Sequence, residues 1–136
     1  MSARSKARRR AVEVLYESDL RESDVEIGLE SLTVRMQSPM NPYTETIVRG
    51  VQTHRDQIDE TLSTYAQGWT LERMPAVDRA ILRAGTWEVL WGEVPSGVAL
   101  AEAVELANEL STDESGKYIN GVLARIQDLK PRLVVE

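Results

Sequence analysis

The chain has 136 residues, a length typical of one compact domain, and its formal net charge is −6. It has no cysteine and a single histidine, which excludes disulfides and thiolate metal ligands and leaves zinc or iron sites short of nitrogen ligands. Charged residues interrupt every apolar run, so we expect no membrane-spanning segment and predict a cytoplasmic protein.

The positive charge is concentrated at the start of the chain. Five cations and no acidic residue occur among the first ten residues: Arg4, Lys6, Arg8, Arg9 and Arg10. The remaining residues include 22 acidic and 11 basic side chains, a net charge of −11. This asymmetry indicates a local anion-binding segment on an otherwise acidic protein.

The N-terminal segment has the apolar spacing of a helix. Residues at i, i+4, i+7 and i+8 are apolar, which predicts a helix over about residues 4 to 20. They are Ala7, Ala11, Val14 and Leu15. An Arg-rich, Ser-containing start also fits an organelle transit peptide. Acidic residues at positions 13, 17 and 19 and the unbroken apolar pattern favour the folded helix.

Two capping signals predict the next helices. Ser23 and Glu26 have the spacing of a capping box. Asn41 followed by Pro42 predicts a second start, because asparagine caps helices and proline suits the first helical position. The apolar residues after Pro42 fit one long helix or two short helices that meet near residues 53–56.

The second half of the chain also contains residues that are typical of helix starts and ends. Pro75 suits a first helical residue, Gly92 followed by Pro95 predicts the end of that helix, and Ser96 predicts the next start.

A last helix is predicted to begin at a capping box formed by Ser111 and Glu114 and to end at Pro131. Since no alternating strand pattern of useful length occurs, we predict an all-α fold of about seven helices.

The sequence offers little material for catalysis. His54 has no nucleophile or carboxylate near it at a suggestive spacing, which favours a solvated helix histidine. Glu102, Glu105 and Glu109 share a helix face, but no Glu-x-x-His pair accompanies them, which favours a solvated acidic face over a metal site. No phosphate-binding glycine pattern occurs. We therefore expect no enzyme activity, no cofactor and no metal.

The N-terminal cations oppose local helix stability. Cations at a helix start cost about 0.3–1 kcal/mol each against the macrodipole, and Arg4 with Arg8, like Lys6 with Arg10, forms a like-charge i, i+4 pair. A bound phosphate would reverse these penalties, because guanidinium groups and free backbone N–H groups both attract it. We therefore expect an anionic ligand to offset the cost.

Tyr16 adds an aromatic ring beside these cations. At 100° per residue it projects about 20° from Arg9, almost two turns further along the helix. Basic residues beside an aromatic ring are typical of single-stranded RNA binding. Duplex or nonspecific nucleic-acid binding and a protein-binding or inert tail are the alternatives.

Three blocks of the sequence resemble a known family. "RRRAVEVLYESDL", "VDRAILRAGTWEVL" and "VPSGVALAEAVELANELSTDESGKYINGVL" resemble, in order and spacing, the conserved blocks of the NusB family of bacterial transcription antitermination factors. The resemblance implies one domain over residues 1–136, built from two packed three-helix bundles at roughly 1–67 and 68–136. It also implies a function: binding the boxA element of nascent ribosomal RNA together with NusE, a small-subunit ribosomal protein, within an RNA polymerase antitermination complex.

The resemblance also implies which residues bind. RNA-contacting positions match the following residues: Arg4, Lys6, Arg8, Arg9, Arg10, Tyr16, Lys117 and Tyr118. Arg83 is a further candidate for the same surface, although a solvated helix arginine is an equally good interpretation. Asp78 matches an acidic position that resembles a NusE-contacting site, although a carboxylate in the first turn of a helix is an equally good interpretation.

Two other functions and two oligomeric states fit the sequence. The fold implied by the resemblance is also similar to the N-terminal domain of certain ribosomal RNA cytosine methyltransferases, but the cofactor loop and cysteine nucleophile of such enzymes are absent. A purely protein-binding helical adaptor is the second alternative. Both a monomer and a homodimer fit the sequence.

Overall fold

The computed structural model describes residues 2–37 and 39–133, and all regular structure within these ranges is helical. The seven helices are α1 (Ala3–Arg21), α2 (Val25–Arg35), α3 (Pro42–Thr53), α4 (Arg55–Tyr65), α5 (Ala76–Trp91), α6 (Ser96–Leu110) and α7 (Asp113–Leu133). The predicted all-α fold is confirmed, and the segment after Pro42 forms two helices that meet at His54.

Two helix ends lie at the residues predicted from the sequence. Asn41 caps α3 as predicted, with its side chain accepting a hydrogen bond from the backbone N–H of Tyr43 at 2.9 Å. Gly92 ends α5, also as predicted. These ends agree because the capping residue acts on its own neighbours in the chain.

Four predicted ends differ from the structure. Asp24, one residue after Ser23, caps α2. Thr112 replaces Ser111 at the start of α7, where its hydroxyl accepts from the N–H of Ser115 at 3.0 Å. Pro131 lies inside the last turn of α7 rather than ending it. Pro75 precedes the first residue of α5. At Ser23 and Ser111 the adjacent polar residue caps the helix instead, so the helix start is shifted by one residue.

The central helix of the fold is α5. It packs against α1, α3 and α4 on one side and against α6 and α7 on the other. Its residues Ile81, Leu82 and Val89 are almost fully buried. At Gly50 of α3 the Trp87 ring lies so close that a Cβ atom would overlap it, which fixes α3 against α5. Because α5 contacts helices on both sides, a division into bundles near residue 67 stays a prediction.

Two side-chain contacts hold the end of α1 and the start of α7 against the first turn of α5. The guanidinium of Arg79 donates to Asp19, in the last turns of α1, at 2.7 Å. The hydroxyl of Ser115, in the first turn of α7, donates to Asp78 at 2.7 Å. Since Asp78 and Arg79 are adjacent in the first turn of α5, the end of α1 and the start of α7 both contact that turn, at the same end of the molecule. No helix in the described part of the chain is long and apolar enough to cross a membrane.

Candidate nucleic-acid interface

The N-terminal cations lie on different sides of α1. Arg8 lies on the inner side, packed among the apolar residues that face α5, and only 5% of it is exposed. The outer cations, Lys6, Arg9 and Arg10, lie on the opposite side, which faces solvent. Helical geometry explains the division, since Arg8 projects within about 20° of Leu15, a buried residue.

Arg8 is held in a buried ion pair. Its Nε lies 2.9 and 3.0 Å from the two carboxylate oxygens of Glu88 on α5, and its Nη1 lies 3.3 Å from Glu102 on α6. The Tyr43 hydroxyl donates a hydrogen bond to the same Glu88 carboxylate. Burial and this hydrogen bond raise the pKa of Tyr43 above its ordinary value. An RNA phosphate cannot reach this guanidinium without opening the core, so Arg8 differs from the expectation of a phosphate contact.

Arg4 lies one helical turn before Arg8 and contacts the same Tyr43 ring. Its guanidinium carbon is 4.7 Å from the centre of the Tyr43 ring, within the range of a cation–π contact, yet the residue is exposed. A phosphate contact by Arg4 therefore stays a prediction.

The outer cations have acidic neighbours, although a solvated acidic face was expected on α6. Arg9 donates from Nη1 to Glu109 of α6 at 2.8 Å and lies 3.6 Å from Glu13. Lys6 and Arg10 take part in none of the ion pairs among residues 2–37 and 39–133. Part of the helix-start penalty is thus offset within the protein, which corrects the expectation that only a ligand would offset it.

Tyr16 lies at the solvent border of α1, where 36% of the residue is exposed. It is seven residues after Arg9, about 10 Å further along the axis. Since Asp19, one turn later, pairs with the start of α5, Tyr16 lies toward the end of the molecule where α7 begins. The exposed ring and the outer cations therefore share one side of α1.

The start of α7 presents a second cation and aromatic ring. The Lys117 side chain is 77% exposed, and its ammonium is 3.5 Å from Glu114. The adjacent Tyr118 donates its hydroxyl to the backbone carbonyl of Gln67 at 3.1 Å and packs edge-on to Trp69. Burial raises the pKa of the Tyr118 hydroxyl. These contacts fix the Tyr118 ring while Lys117 is free to move.

An open groove of about 460 Å³ lies beside this pair. Its lining residues are Tyr65, Gln67, Lys117, Tyr118, Gly121, Val122 and Arg125. The sequence analysis did not identify Tyr65 or Arg125. The i, i+4, i+8 spacing of Lys117, Gly121 and Arg125 was a usable signal for Arg125, because it places two cations along one face of α7.

Arg83 and Asp78 are interior residues. Arg83 donates through two nitrogens to the Asp59 carboxylate of α4 at 2.9 and 3.0 Å, and lies 3.5 Å from Asp19. Asp78 is fully buried and accepts from Ser115. Neither side chain is presented to an RNA or protein ligand in this arrangement, although each was a candidate binding residue. Asp78 lies in the first turn of α5, which agrees with its alternative interpretation. The partners of Arg83 and Asp78 lie on other helices, 24 to 64 residues away along the chain, so no local sequence pattern predicts these contacts.

His54 is a packed residue rather than a solvated one. Its ring stacks on Trp91 with a centroid separation of 3.9 Å and an interplanar angle of 11°. Trp87 is buried. Among the described residues, no three histidine, cysteine, aspartate or glutamate side chains are grouped so that they could hold a metal ion.

Comparison with known proteins identifies the family. The model of the NusB family matches residues 5–128. The chain belongs to the NusB family. The transcription antitermination protein NusB of Arthrobacter sp. strain FB24 is 56% identical to it over 135 residues, covering 98% of this chain and 99% of the relative.

Solved structures agree with this family assignment. Thermotoga maritima NusB is 30% identical, covers 94% of this chain and 92% of its own, and superimposes with a TM-score of 0.84. The NusB-type chain in a crystal structure of the antitermination factors NusB and NusE in complex with double-stranded RNA is 25% identical, with coverages of 94% and 98% and a TM-score of 0.84. The predicted NusB fold is therefore confirmed.

Proposed function

We propose that this protein is a noncatalytic, cytoplasmic transcription antitermination factor that binds boxA RNA together with NusE. Its family membership supports the function, and one observation supports the place of binding. That observation is the group of outer cations on α1, which faces solvent beside the exposed ring of Tyr16.

The outer cations position the phosphates. Lys6 and Arg10 are one helical turn apart and have no acidic partner among the described residues, so a phosphate meets no competing carboxylate on them. Arg9 exchanges Glu109 for a phosphate, a small cost for a pair that is about one-third exposed. Phosphate contacts of this kind position a nucleic acid without reading its sequence.

Aromatic rings supply contacts with the bases. Tyr16 and Tyr118 lie toward the same end of the molecule, on α1 and at the start of α7. Stacking contributes about 1–3 kcal/mol per base and tolerates different bases. Base preference then depends on which bases can stack here and on surfaces that the protein partner adds.

The partner adds affinity through linkage. Outside its first ten residues the chain carries a net charge of −11, which suits a basic ribosomal protein such as NusE. Since Asp78 is buried, we assign it to positioning the start of α7 rather than to direct contact with NusE. A partner that contacts both protein and RNA raises the apparent affinity of each for the other.

Binding to a fluorescently labelled boxA-like single strand tests the proposal. We expect anisotropy titrations to show tighter binding to boxA than to a scrambled strand, and tighter binding still when NusE is present. A duplex of the same sequence tests the alternative ligand, since the structural relative contains double-stranded RNA. No binding to either RNA, with NusE binding intact, would establish the protein-binding adaptor instead.

Tyr16 offers a separate test of the stacking role. Tyr16→Leu keeps an apolar side chain at the edge of the core and removes the ring. We expect weaker RNA binding with an unchanged salt dependence, because stacking releases no counterions. Val34→Ala, a change at an 80% exposed apolar residue of α2, is the control and should bind like the wild type.

A further inference from the structure

Two apolar side chains lie on the solvent-facing side of α2. Val34 is 80% exposed and Ile27 is 60% exposed, the two highest values among the large apolar residues in the described part of the chain. The opposite side of the helix is buried in the core through Val25, Leu29 and Leu32. Packing within one copy of the protein therefore explains one apolar side of α2 and leaves the other exposed to solvent.

The two exposed apolar side chains are aligned along the helix. Ile27 and Val34 are about 10 Å apart along the axis of α2 and only about 20° apart around it. Glu30 and Ser31, which are also exposed, lie midway between them, one on each side of the line that joins them. The stripe therefore has nearly the same order in both directions: an apolar side chain, two polar side chains and an apolar side chain.

This order is complementary to itself when two copies of α2 lie antiparallel. With a two-fold axis between positions 30 and 31, Ile27 of each copy lies opposite Val34 of the other, because an isologous contact repeats every pair in reverse. The axis also keeps each flank of the helix beside the same flank of the second copy, so the two Ser31 side chains lie next to it. One pair is unfavourable, since the two Glu30 carboxylates also lie close to the axis and repel each other.

The charges at the ends of α2 favour the antiparallel direction. Asp24 caps the start of the helix and Arg35 is its last residue. Both lie on the flank of Ser31, within about 40° of it, so the axis brings Arg35 of one copy beside Asp24 of the other. The Arg35 side chain is 57% exposed and lies 4.0 Å from Glu17, so it can change partners at little cost. Antiparallel helices also place opposite ends of their macrodipoles side by side.

We propose that the outer side of α2 is a contact between two copies of this chain, in which Ile27, Ser31 and Val34 pack antiparallel across a two-fold axis. A second copy is favoured over a different protein because both the apolar order and the end charges of α2 match their own reverse. The stripe is smaller than the roughly 800 Å² per partner of a standard interface, so the dimer is weak and forms at high protein concentration. The contact uses none of the proposed RNA-binding residues, so each copy keeps its own RNA surface.

Ser31→Cys is the most direct test, because the chain has no cysteine of its own. Since the two copies of position 31 lie next to the axis, mild oxidation should convert most of the variant to a disulfide-linked dimer on a non-reducing gel. The matched control is Ser63→Cys, at an exposed serine of α4, which should remain largely monomeric under the same oxidation. Equal amounts of linked dimer in the two variants would overturn the proposal, because they would reflect random collision.

Sedimentation equilibrium measures the same contact without a covalent link. The average mass of the wild type should rise with protein concentration, and Val34→Glu should remove this rise because it places a charge in the apolar stripe. Glu30→Gln should strengthen association by about two- to fivefold, because it removes the repulsion beside the axis. The control Val98→Glu, at a 45% exposed apolar residue of α6, should associate like the wild type.

Two other outcomes would overturn the proposal. A wild type that stays monomeric up to about 1 mM would show that the stripe does not pair with itself. If the wild type associates but Val34→Glu weakens association no more than Val98→Glu does, the copies meet through another surface. Circular dichroism should show that all the variants have the helix content of the wild type, so that a loss of association is not a loss of folding.

Discussion

The two sides of α1 use the same type of residue in different ways. On the inner side Arg8 is removed from water and held by Glu88 and Glu102. On the outer side Lys6 and Arg10 remain at the solvent-facing surface. A buried guanidinium needs its carboxylates, since an unpaired buried charge is strongly destabilising, whereas a surface cation can change partners at little cost. A run of cations must therefore be divided by helix face before it is assigned to a ligand.

The largest expected effect comes from removing the charge that pairs with Arg8 on the inner side of α1. Glu88→Gln keeps the shape of the side chain and removes the charge that compensates Arg8, so we expect a loss of about 3 kcal/mol in the free energy of unfolding, measured by urea denaturation. Glu105→Gln, at an exposed position of α6, should change stability by less than about 0.5 kcal/mol. Equal stability of the two variants would mean that the inner ion pair does not hold α1 in place.

Replacing cations on the outer side should not lower the stability of the protein and should weaken RNA binding instead. Replacing Lys6 and Arg10 together by Ala should weaken boxA binding about tenfold at moderate salt, because two phosphate contacts are lost. Arg35→Ala removes an exposed cation of α2 whose only acidic neighbour in the described part of the chain lies 4.0 Å away. If that control weakens binding as much, the effect reflects overall charge rather than this surface.

The ion pair between Arg9 and Glu109 gives a further prediction, because it connects the outer side of α1 to α6. Glu109→Gln releases Arg9 from its partner and should strengthen RNA binding at low salt by up to about fivefold, the upper value of an exposed ion pair. Glu105→Gln removes the same charge from the same helix without releasing a cation of α1. The account requires Glu109→Gln to bind more tightly than Glu105→Gln in parallel titrations.

The smallest effect concerns alkaline pH. The pKa of Tyr43 is raised in the folded protein by burial and by its hydrogen bond to Glu88, so the folded state keeps a proton that the unfolded state loses above pH of about 10. The stability contributed by this group is complete below that pH and declines above it. Tyr43→Phe should show a shallower fall in unfolding free energy between about pH 10 and 11. If stability falls as steeply in the variant as in the wild type, the folded protein does not raise the pKa of the Tyr43 hydroxyl.

Much of the fold could be predicted because its signals are local. The Asn41–Pro42 start and the Gly92 end act within one helical turn, and the apolar periodicity gave the helices between them. The differences at Ser23 and Ser111 are shifts of one residue, where two adjacent polar residues could each cap a helix. Pro131 lies in the last turn of α7, with two helical residues after it, and nothing in the structure explains why the helix does not end before it.

The candidate site could be predicted only in part. Helical projection alone places Arg8 beside Leu15 on the apolar face, so its burial was readable from the sequence. Its partner Glu88 was not, since the two residues are 80 positions apart. The groove also depends on Tyr65 of α4 lying beside α7, and no spacing within one helix predicts that neighbour, although the spacing within α7 could have indicated Arg125.

The salt dependence of RNA binding tests the division of α1 most directly. Lys6, Arg9 and Arg10 are the phosphate contacts proposed on α1, so together they should contribute about −2.1 to the slope of log K against log salt on a single strand. If all five N-terminal cations bound phosphates, they would contribute about −3.5. Replacing Lys6 and Arg10 by Ala should make the slope shallower by about 1.4. An unchanged slope in that variant would contradict the account.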